Sequence, residues 1–251
     1  MAEVSVITVV KDHEKGLEET YSSLVGQAFV NWEMVVVVAE SADSTLKVAQ
    51  RIQQADTRVK VIEQSGIGIY NAMNEGIQGA TGDFIWFMNA GDRFSTEDVI
   101  TLAVAEIKAC GVGVVMGGYQ ILDGKQPLTY TYRARNVSDL RFAFSRRDRH
   151  EAMIFRASSL KSIGQFNTSY SLASDFDLVM KVINLSGGKR VSEIYATIES
   201  GGLADQGIFL VHSQKHMIRK NHFGGVFILV VSSFWTLLAR AKIISRQSLK
   251  R

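Results

Sequence analysis

The run Val35-Val36-Val37-Val38 constrains this chain more than any other feature. Four consecutive β-branched residues leave no polar face, so the strand holding them must be covered on both sides. Helices on both faces of a parallel sheet are the usual way to do that. The flanking sequence repeats the theme. Strand-like runs at Val4–Val10, Glu33–Ala39, Val59–Glu63 and Phe84–Met88 alternate with helical patterns at Gly16–Gly26, Ser44–Ala55, Tyr70–Gly79 and Thr96–Ala109. The alternation predicts an α/β fold with a mostly parallel central sheet. After a further strand at Val112–Met116, the runs Tyr119–Leu122 and Thr129–Tyr132 around Asp123-Gly124 read as a hairpin, a small antiparallel addition. Residues 133–149, with six arginines among polar residues, read as a mobile connection. Helices at Ser158–Ile163 and Asp175–Leu185, a strand at Ile194–Ile198 and a helix around Phe209–His222 complete the order.

The 251 residues suit one sizeable domain, and 46% hydrophobic with 21% charged residues is a globular balance. The single cysteine, Cys110, lies in an apolar helical stretch and offers neither a disulfide framework nor a cysteine-based zinc site, which fits a reducing compartment. The chain runs straight into Val4–Val10 with no basic leader and apolar h-region, so a cytoplasmic location is expected. Eight of the 28 Lys and Arg lie beyond Asp205, where there is no Asp or Glu; residues 1–205 therefore hold 20 basic and all 25 acidic residues. A mildly acidic body argues against nucleic acid, which favours basic residues interleaved with aromatics on the folded face. The apolar stretch Gly224–Ala239 is sixteen residues long, short of the roughly 20 needed to span a bilayer. It reads either as a buried core helix or, preferred for its cationic flanks, as an amphipathic helix docking residues 224–251 on an anionic membrane surface through Phe227, Phe234 and Trp235.

In an open parallel sheet, ligands bind beyond the carboxyl ends of the strands, here Thr8 to Asp12, Ala39 to Asp43, Gln64 to Gly68 and Asn89 to Asp92. No GxGxxG or GxxxxGK loop follows a strand, which argues against a dinucleotide or P-loop enzyme. Hard cations take carboxylate oxygens, and Asp92 stands at a strand end where one would meet a diphosphate. It could instead cap the next helix, although Ser95 and Thr96 are better placed for that. Asp175 opens a helix, where it is either a general base or an acid stabilised by the helix dipole. Asp177, two residues on and about 200° round the axis, faces elsewhere.

Several motifs occur in order: Thr8, Trp32-Glu33, Asp43-Ser44-Thr45, the run Gly68-Ile69-Tyr70-Asn71-Ala72-Met73-Asn74-Glu75-Gly76-Ile77, Ala80-x-Gly82, and Phe87-Met88-Asn89-Ala90-Gly91-Asp92. With His150-Glu151 and Gly164-x-Phe166-Asn167 leading to Ala173-Ser174-Asp175-Phe176-Asp177, they resemble family 2 glycosyltransferases over roughly residues 3–205. The resemblance implies the GT-A fold, a Rossmann-like sheet in residues 1–211, with 1–117 binding nucleotide-sugar and 118–211 carrying the acceptor side and the base. Residues 212–251 form the basic, apolar helical tail. It implies an inverting transfer from a nucleotide-sugar donor to a hydroxyl of a lipid-linked or surface glycan, with Mn2+ or Mg2+, and is compatible with a homo-oligomer. By resemblance, Thr8, Asp43, Asn71, Asn74, Asn89 and Asp92 would bind the donor, and Asp92 the metal; Glu40, two residues past the position that Val38 occupies, would reach the nucleotide base instead of the usual acid. His150, Glu151 and Ser174 would lie near the acceptor or diphosphate, with Asp175 as the base. Three departures stand out: Val38 and Gly66 occupy usual acidic positions, and Ala90 or Gly91 replaces the first acid before Asp92. They leave open a second reading, a degenerate GT-A-like protein that binds a glycan or a partner enzyme.

Overall fold

A computed structural model describes residues 2–122, 127–131, 134–138, 142–145, 148–200 and 207–224. In chain order the elements are β1 (Val4–Val10), α1 (Glu14–Val25), β2 (Trp32–Val38), α2 (Thr45–Ala55), β3 (Val59–Glu63), α3 (Ile69–Gly79) and β4 (Phe84–Phe87). They continue with β5 (Arg93–Phe94), α4 (Val99–Cys110), β6 (Val114–Leu122), β7 (Leu128–Tyr130), β8 (Arg135–Val137), and a 3-10 turn at His150–Ala152 that runs into β9 (Met153–Arg156). Helices α5 (Ala157–Ile163) and α6 (Ser174–Ser186), strand β10 (Gly188–Glu199) and helix α7 (Ile208–Phe223) follow.

All ten strands form one sheet in the order β3-β2-β1-β4-β9-β6-β10-β5, with β7 added to β6 and β8 to β10. Strands β3, β2, β1 and β4 are mutually parallel, as are β6 and β10. The valine run behaves as its composition requires. Val36 and Val38 face a core shared with α1, α2 and α4, whereas Val35 and Val37 face a second core built with α3, α5, α6 and α7. All four are at most 3% exposed.

Three features differ from the sequence expectation. First, Met153–Arg156 is a strand, wedged antiparallel between β4 and β6. Its four residues are too short a run to show a period, and its burial comes wholly from its two neighbours. Second, Val112–Met116 and Tyr119–Leu122 are not separate strands, because β6 runs unbroken through Gly117-Gly118. Its last residues do pair antiparallel with β7, Tyr119 opposite Tyr130, as the hairpin reading requires, while the turn at Asp123-Gly124 lies outside the described residues. Third, residues 133–149 are not simply a mobile connection. Arg135–Val137 pairs with Gly188–Arg190, Phe142 and Ala143 are buried, and Asp148 forms a bidentate ion pair with Arg190 at 3.1 and 2.6 Å. The arginines that suggest a solvated loop hide these few apolar anchors.

Helix α7 docks on α6 through matched polar groups around an apolar contact. Ile218 is fully buried, Arg219 Nε donates to the Ala143 carbonyl at 2.7 Å, and Asp177 takes His222 at 3.0 Å and Lys181 at 2.7 Å. No helix among the described residues is long and apolar enough to cross a membrane. The stretch 225–251, which carries the membrane-docking expectation, lies outside the described residues.

The joint between β6 and β10 is close. A Cβ at Gly117 would fall 2.2 Å from Cγ of Tyr195, whose ring is buried. Gly117→Ala should therefore destabilise the fold by about 1–3 kcal/mol or more, as overpacking does. Chemical denaturation would show this as a lower midpoint at unchanged slope. A variant as stable as the parent would mean that the Tyr195 ring does not cover Gly117.

Candidate active site

The carboxyl ends of β1, β2 and β4 lie along one edge of the sheet, and β9 delivers its leading turn to the same edge because it runs the other way. Trp86 of β4 fixes that turn, its indole N–H donating to the Glu151 carbonyl at 2.7 Å. Asn89, Asp92, His150, Glu151 and Asp175, far apart in sequence, become neighbours here. Asn89 Nδ2 donates to Glu151 Oε1 at 3.2 Å and lies 3.5 Å from His150 Nε2. His150 Nδ1 lies 3.6 Å from Glu151 Oε2 and 3.5 Å from Asp175 Oδ2. Tyr70 of α3 completes the cluster by donating its hydroxyl to Asp175 Oδ1 at 3.2 Å.

The Asp92 loop is held by Thr20 of α1, whose hydroxyl donates to the Asp92 carbonyl at 2.7 Å and accepts the Gly91 N–H at 3.0 Å. Asp92 Oδ1 accepts the Glu199 backbone N–H at 2.9 Å, and the residue is buried. Gly91 has φ +98°, and a Cβ there would fall 2.3 Å from Glu199 Oε2 and 3.0 Å from His13 Nε2. At that φ a side chain is strained, so an acid is disfavoured at Gly91. The paired His13 and Glu199, 3.1 Å apart, fill its place. At Gly66 a Cβ would sit tightly against Asn71 at 3.0 Å, and Glu75 reaches into the loop to accept the Ser65 and Gly66 N–H groups.

The other expected residues are placed less directly. Thr8 is fully buried in β1 and its hydroxyl has no partner among the described residues. Glu40 is exposed, Asp43 accepts from Thr45 and Glu14 at the head of α2, and Asn71 bonds the Ile67 carbonyl. Asn74 is spent on the chain itself, trading hydrogen bonds with both backbone groups of Phe166 at 3.0 and 2.8 Å. Ser174 is buried, and its hydroxyl has no partner among the described residues. Sequence reasoning missed Tyr70 as a partner of Asp175, His13 and Glu199 beside Gly91, and Lys215 beside Asp175. Nothing local marks them, since each acts through a residue more than 75 positions away or from a helix that reads as tail, as Lys215 does.

Electrostatically Asp92 and Asp175 diverge. Burial, then the nearby Glu151 charge, pushes Asp92 well above the usual carboxylate range. Burial would raise Asp175 too, but the hydrogen bond and charge of His150, helped by Lys215, outweigh it and bring it down to about 2. For His150, burial opposes the charged form. The Glu151 charge and the Asp175 hydrogen bond and charge win, and its pKa rises to about 9. At neutral pH the centre thus holds an imidazolium–carboxylate pair.

Two acceptors in this centre, Asn89 Oδ1 and Glu151 Oε2, are buried with no hydrogen-bond partner among the described residues. With two like-charged acids side by side, such a donor set suits a divalent cation, which would relieve the repulsion that raises Asp92. No group of three His, Cys, Asp or Glu among the described residues could hold a metal by itself.

A mostly parallel sheet covered on both faces, with acids converging at its carboxyl edge, places the chain in the class of GT-A-like α/β proteins. The chain belongs to glycosyl transferase family 2, whose model matches residues 5–167. A Mycobacterium tuberculosis protein described as an uncharacterized glycosyltransferase is 28% identical over 183 residues, covering 71% of this chain and 68% of that one. A PGL/p-HBAD biosynthesis glycosyltransferase of Mycobacterium bovis is 27% identical over 157 residues, covering 62% and 59%. Among solved structures, Staphylococcus aureus TarS in complex with UDP superposes with TM-score 0.70 at 22% identity, over 87% of this chain and 66% of that chain. The mannosyltransferase PcManGT of Pyrobaculum calidifontis, in complex with GDP-Man and Mn2+, gives 0.65 at 16% identity over 98% and 80%. Against the longer TarS structure, the chain spans 40% of the length.

The His150–Asp175 pair makes a pH prediction. A raised histidine stabilises the fold fully below its unfolded value of about 6.5 and loses that contribution as pH rises through about 9. The lowered Asp175 contributes above 3.8 and loses its share as pH falls through about 2. The gap in thermal midpoint between the parent and His150→Gln should therefore be widest between about pH 4 and 6.5 and should close towards pH 10. A gap unchanged up to pH 10 would mean that His150 is neutral in the native protein.

Proposed function

We propose that the chain is an inverting glycosyltransferase that moves a sugar from a nucleotide-sugar donor to a hydroxyl of an acceptor glycan. The observation that carries this reading is Asp175: an ionised carboxylate, held by Tyr70 and His150, on the sheet edge from which Asn89 and Asp92 emerge. In a single displacement the acceptor oxygen attacks the anomeric carbon opposite the leaving nucleoside diphosphate, and a carboxylate takes the hydroxyl proton. Asp175 fills that role, and His150 positions it. A divalent cation, when bound, offsets the charge that grows on the leaving diphosphate. Asp92 would hold it, with Glu151 and Asn89 Oδ1 alongside. The UDP and GDP-Man complexes of the structural neighbours support a nucleotide-sugar as donor.

Asp175→Asn should lower turnover by roughly two to four orders of magnitude with donor affinity nearly unchanged. Full turnover in the variant would remove Asp175 as the base. Asp92→Asn should weaken manganese-dependent UDP binding in calorimetry, and unchanged, still cation-dependent binding would place the metal elsewhere. If the parent binds neither UDP nor GDP, the non-catalytic reading gains.

A membrane-bound acceptor and a peripheral location on the cytoplasmic face fit the cationic, apolar segment 224–251. Its support is the sequence. Vesicle binding should require anionic lipid, weaken as salt rises, and vanish on deletion of residues 225–251. Binding that ignores lipid charge would remove this part of the proposal.

A further inference from the structure

Helix α7 reverses the usual arrangement of a surface helix, which turns its apolar stripe to the core and its polar residues to water. On the side of α7 that docks on α6 and the segment before it, Gln214 and Arg219 are buried around Ile218, His222 pairs with Asp177, and Lys215 lines a pocket beside Asp175. The opposite side carries Phe209, Leu210, Ser213, Met217, Lys220 and Asn221, all exposed and within about 120° of helical arc. Phe209, Leu210 and Met217 leave 41%, 47% and 50% of their surface open. Other exposed large apolar residues, such as Leu102 of α4, Leu128 of β7 and Leu185 of α6, stand one to an element, as scattered surface residues do. Three on one helix face form a patch, and such a patch marks a contact surface.

Charge and chain continuity identify the partner. The exposed face holds one cation, Lys220, and no acid, and the sequence beyond Asp205 has eight Lys and Arg against no Asp or Glu. From Phe223 the chain passes directly into the apolar run 224–239 and then into five of those cations. An apolar face bordered by cations alone matches an anionic lipid surface, whose acyl boundary takes the apolar side chains and whose headgroups meet the cations. We infer that α7 itself lies on an anionic leaflet through Phe209, Leu210 and Met217, so that membrane contact begins within the folded domain. This rests on the peripheral membrane location of the proposed function, and adds the surface that carries it and the orientation it imposes. Lys215 leaves the same helix on the docked side, so the pocket beside Asp175 stands about one helix diameter from the headgroups. A lipid-anchored acceptor can reach that distance without leaving the membrane.

The test uses the full chain and vesicles of phosphatidylcholine, with and without phosphatidylglycerol. The double variant Leu210→Ser, Met217→Ser should bind the anionic vesicles about tenfold more weakly than the parent, because two half-exposed apolar side chains lose their burial in lipid while no charge changes. Leu102→Ser, at a similarly exposed residue of α4, should stay within about twofold. Peroxide oxidation of Met217, followed by mass spectrometry of its peptide, asks the same question of the unmodified protein: anionic vesicles should slow it several-fold and neutral vesicles should not. Binding indifferent to the double variant, or Met217 oxidised equally fast with and without anionic vesicles, would overturn the inference and leave the peripheral location to residues 225–251. Met217 already protected in the absence of vesicles would overturn it too, because the chain itself or a second copy would then cover the face. A parent that binds no anionic vesicles would remove the peripheral location and the inference together.

Discussion

Strand β9 runs antiparallel between β4 and β6, so its first residues, rather than its last, lie at the edge where Asn89 and Asp92 leave β4. A parallel strand in that slot would carry His150 and Glu151 to the opposite end of the sheet. The rest of the site depends on this reversal. The Trp86 indole holds the turn by its Glu151 carbonyl, and the Trp86 ring in turn packs against Phe94 and Tyr195 from the far end of the chain. The aromatic contact that seals one core therefore also fixes the position of two polar residues in the site.

Within the centre, one imidazolium sits among three acids, and its position decides the state of each. Asp175 has His150 as a direct partner and is ionised with ease, whereas Asp92 is buried beside Glu151 and resists ionisation. Environments that push like groups apart in this way are how one site supports a base and a cation ligand at the same pH. The missing acids fit the same picture. At Gly91 the positive φ disfavours a side chain, and at Gly66 the Glu75 carboxylate already serves the loop.

Helix α7, the last of the described helices, packs against this centre. Gln214, Ile218, Arg219 and His222 of α7 tie it to the segment before α6 and to α6 itself, and that docking is what aims Lys215 at Asp175. Asp177, which two positions of helical rotation turn away from Asp175, supplies the clasp for His222 and Lys181.

The sequence by itself determined the architecture of the first hundred residues. Each of those strands and helices is long enough to show its own period, and Val35–Val38 can only be a doubly covered strand. It also marked Asn89, Asp92, His150, Glu151 and Asp175 through motifs that stand in order along the chain. Only the tertiary structure decided what those residues do to one another. Whether Asn74 contacts a ligand or braces Phe166, whether Asp175 is ionised, and which helix presents Lys215 all depend on contacts between different elements, 25 to 92 residues apart. Periodicity reports a residue's relation to its own helix or strand, whereas burial and charge coupling are set by whatever the sheet order brings alongside. That order turned on β9, a four-residue strand too short to announce itself.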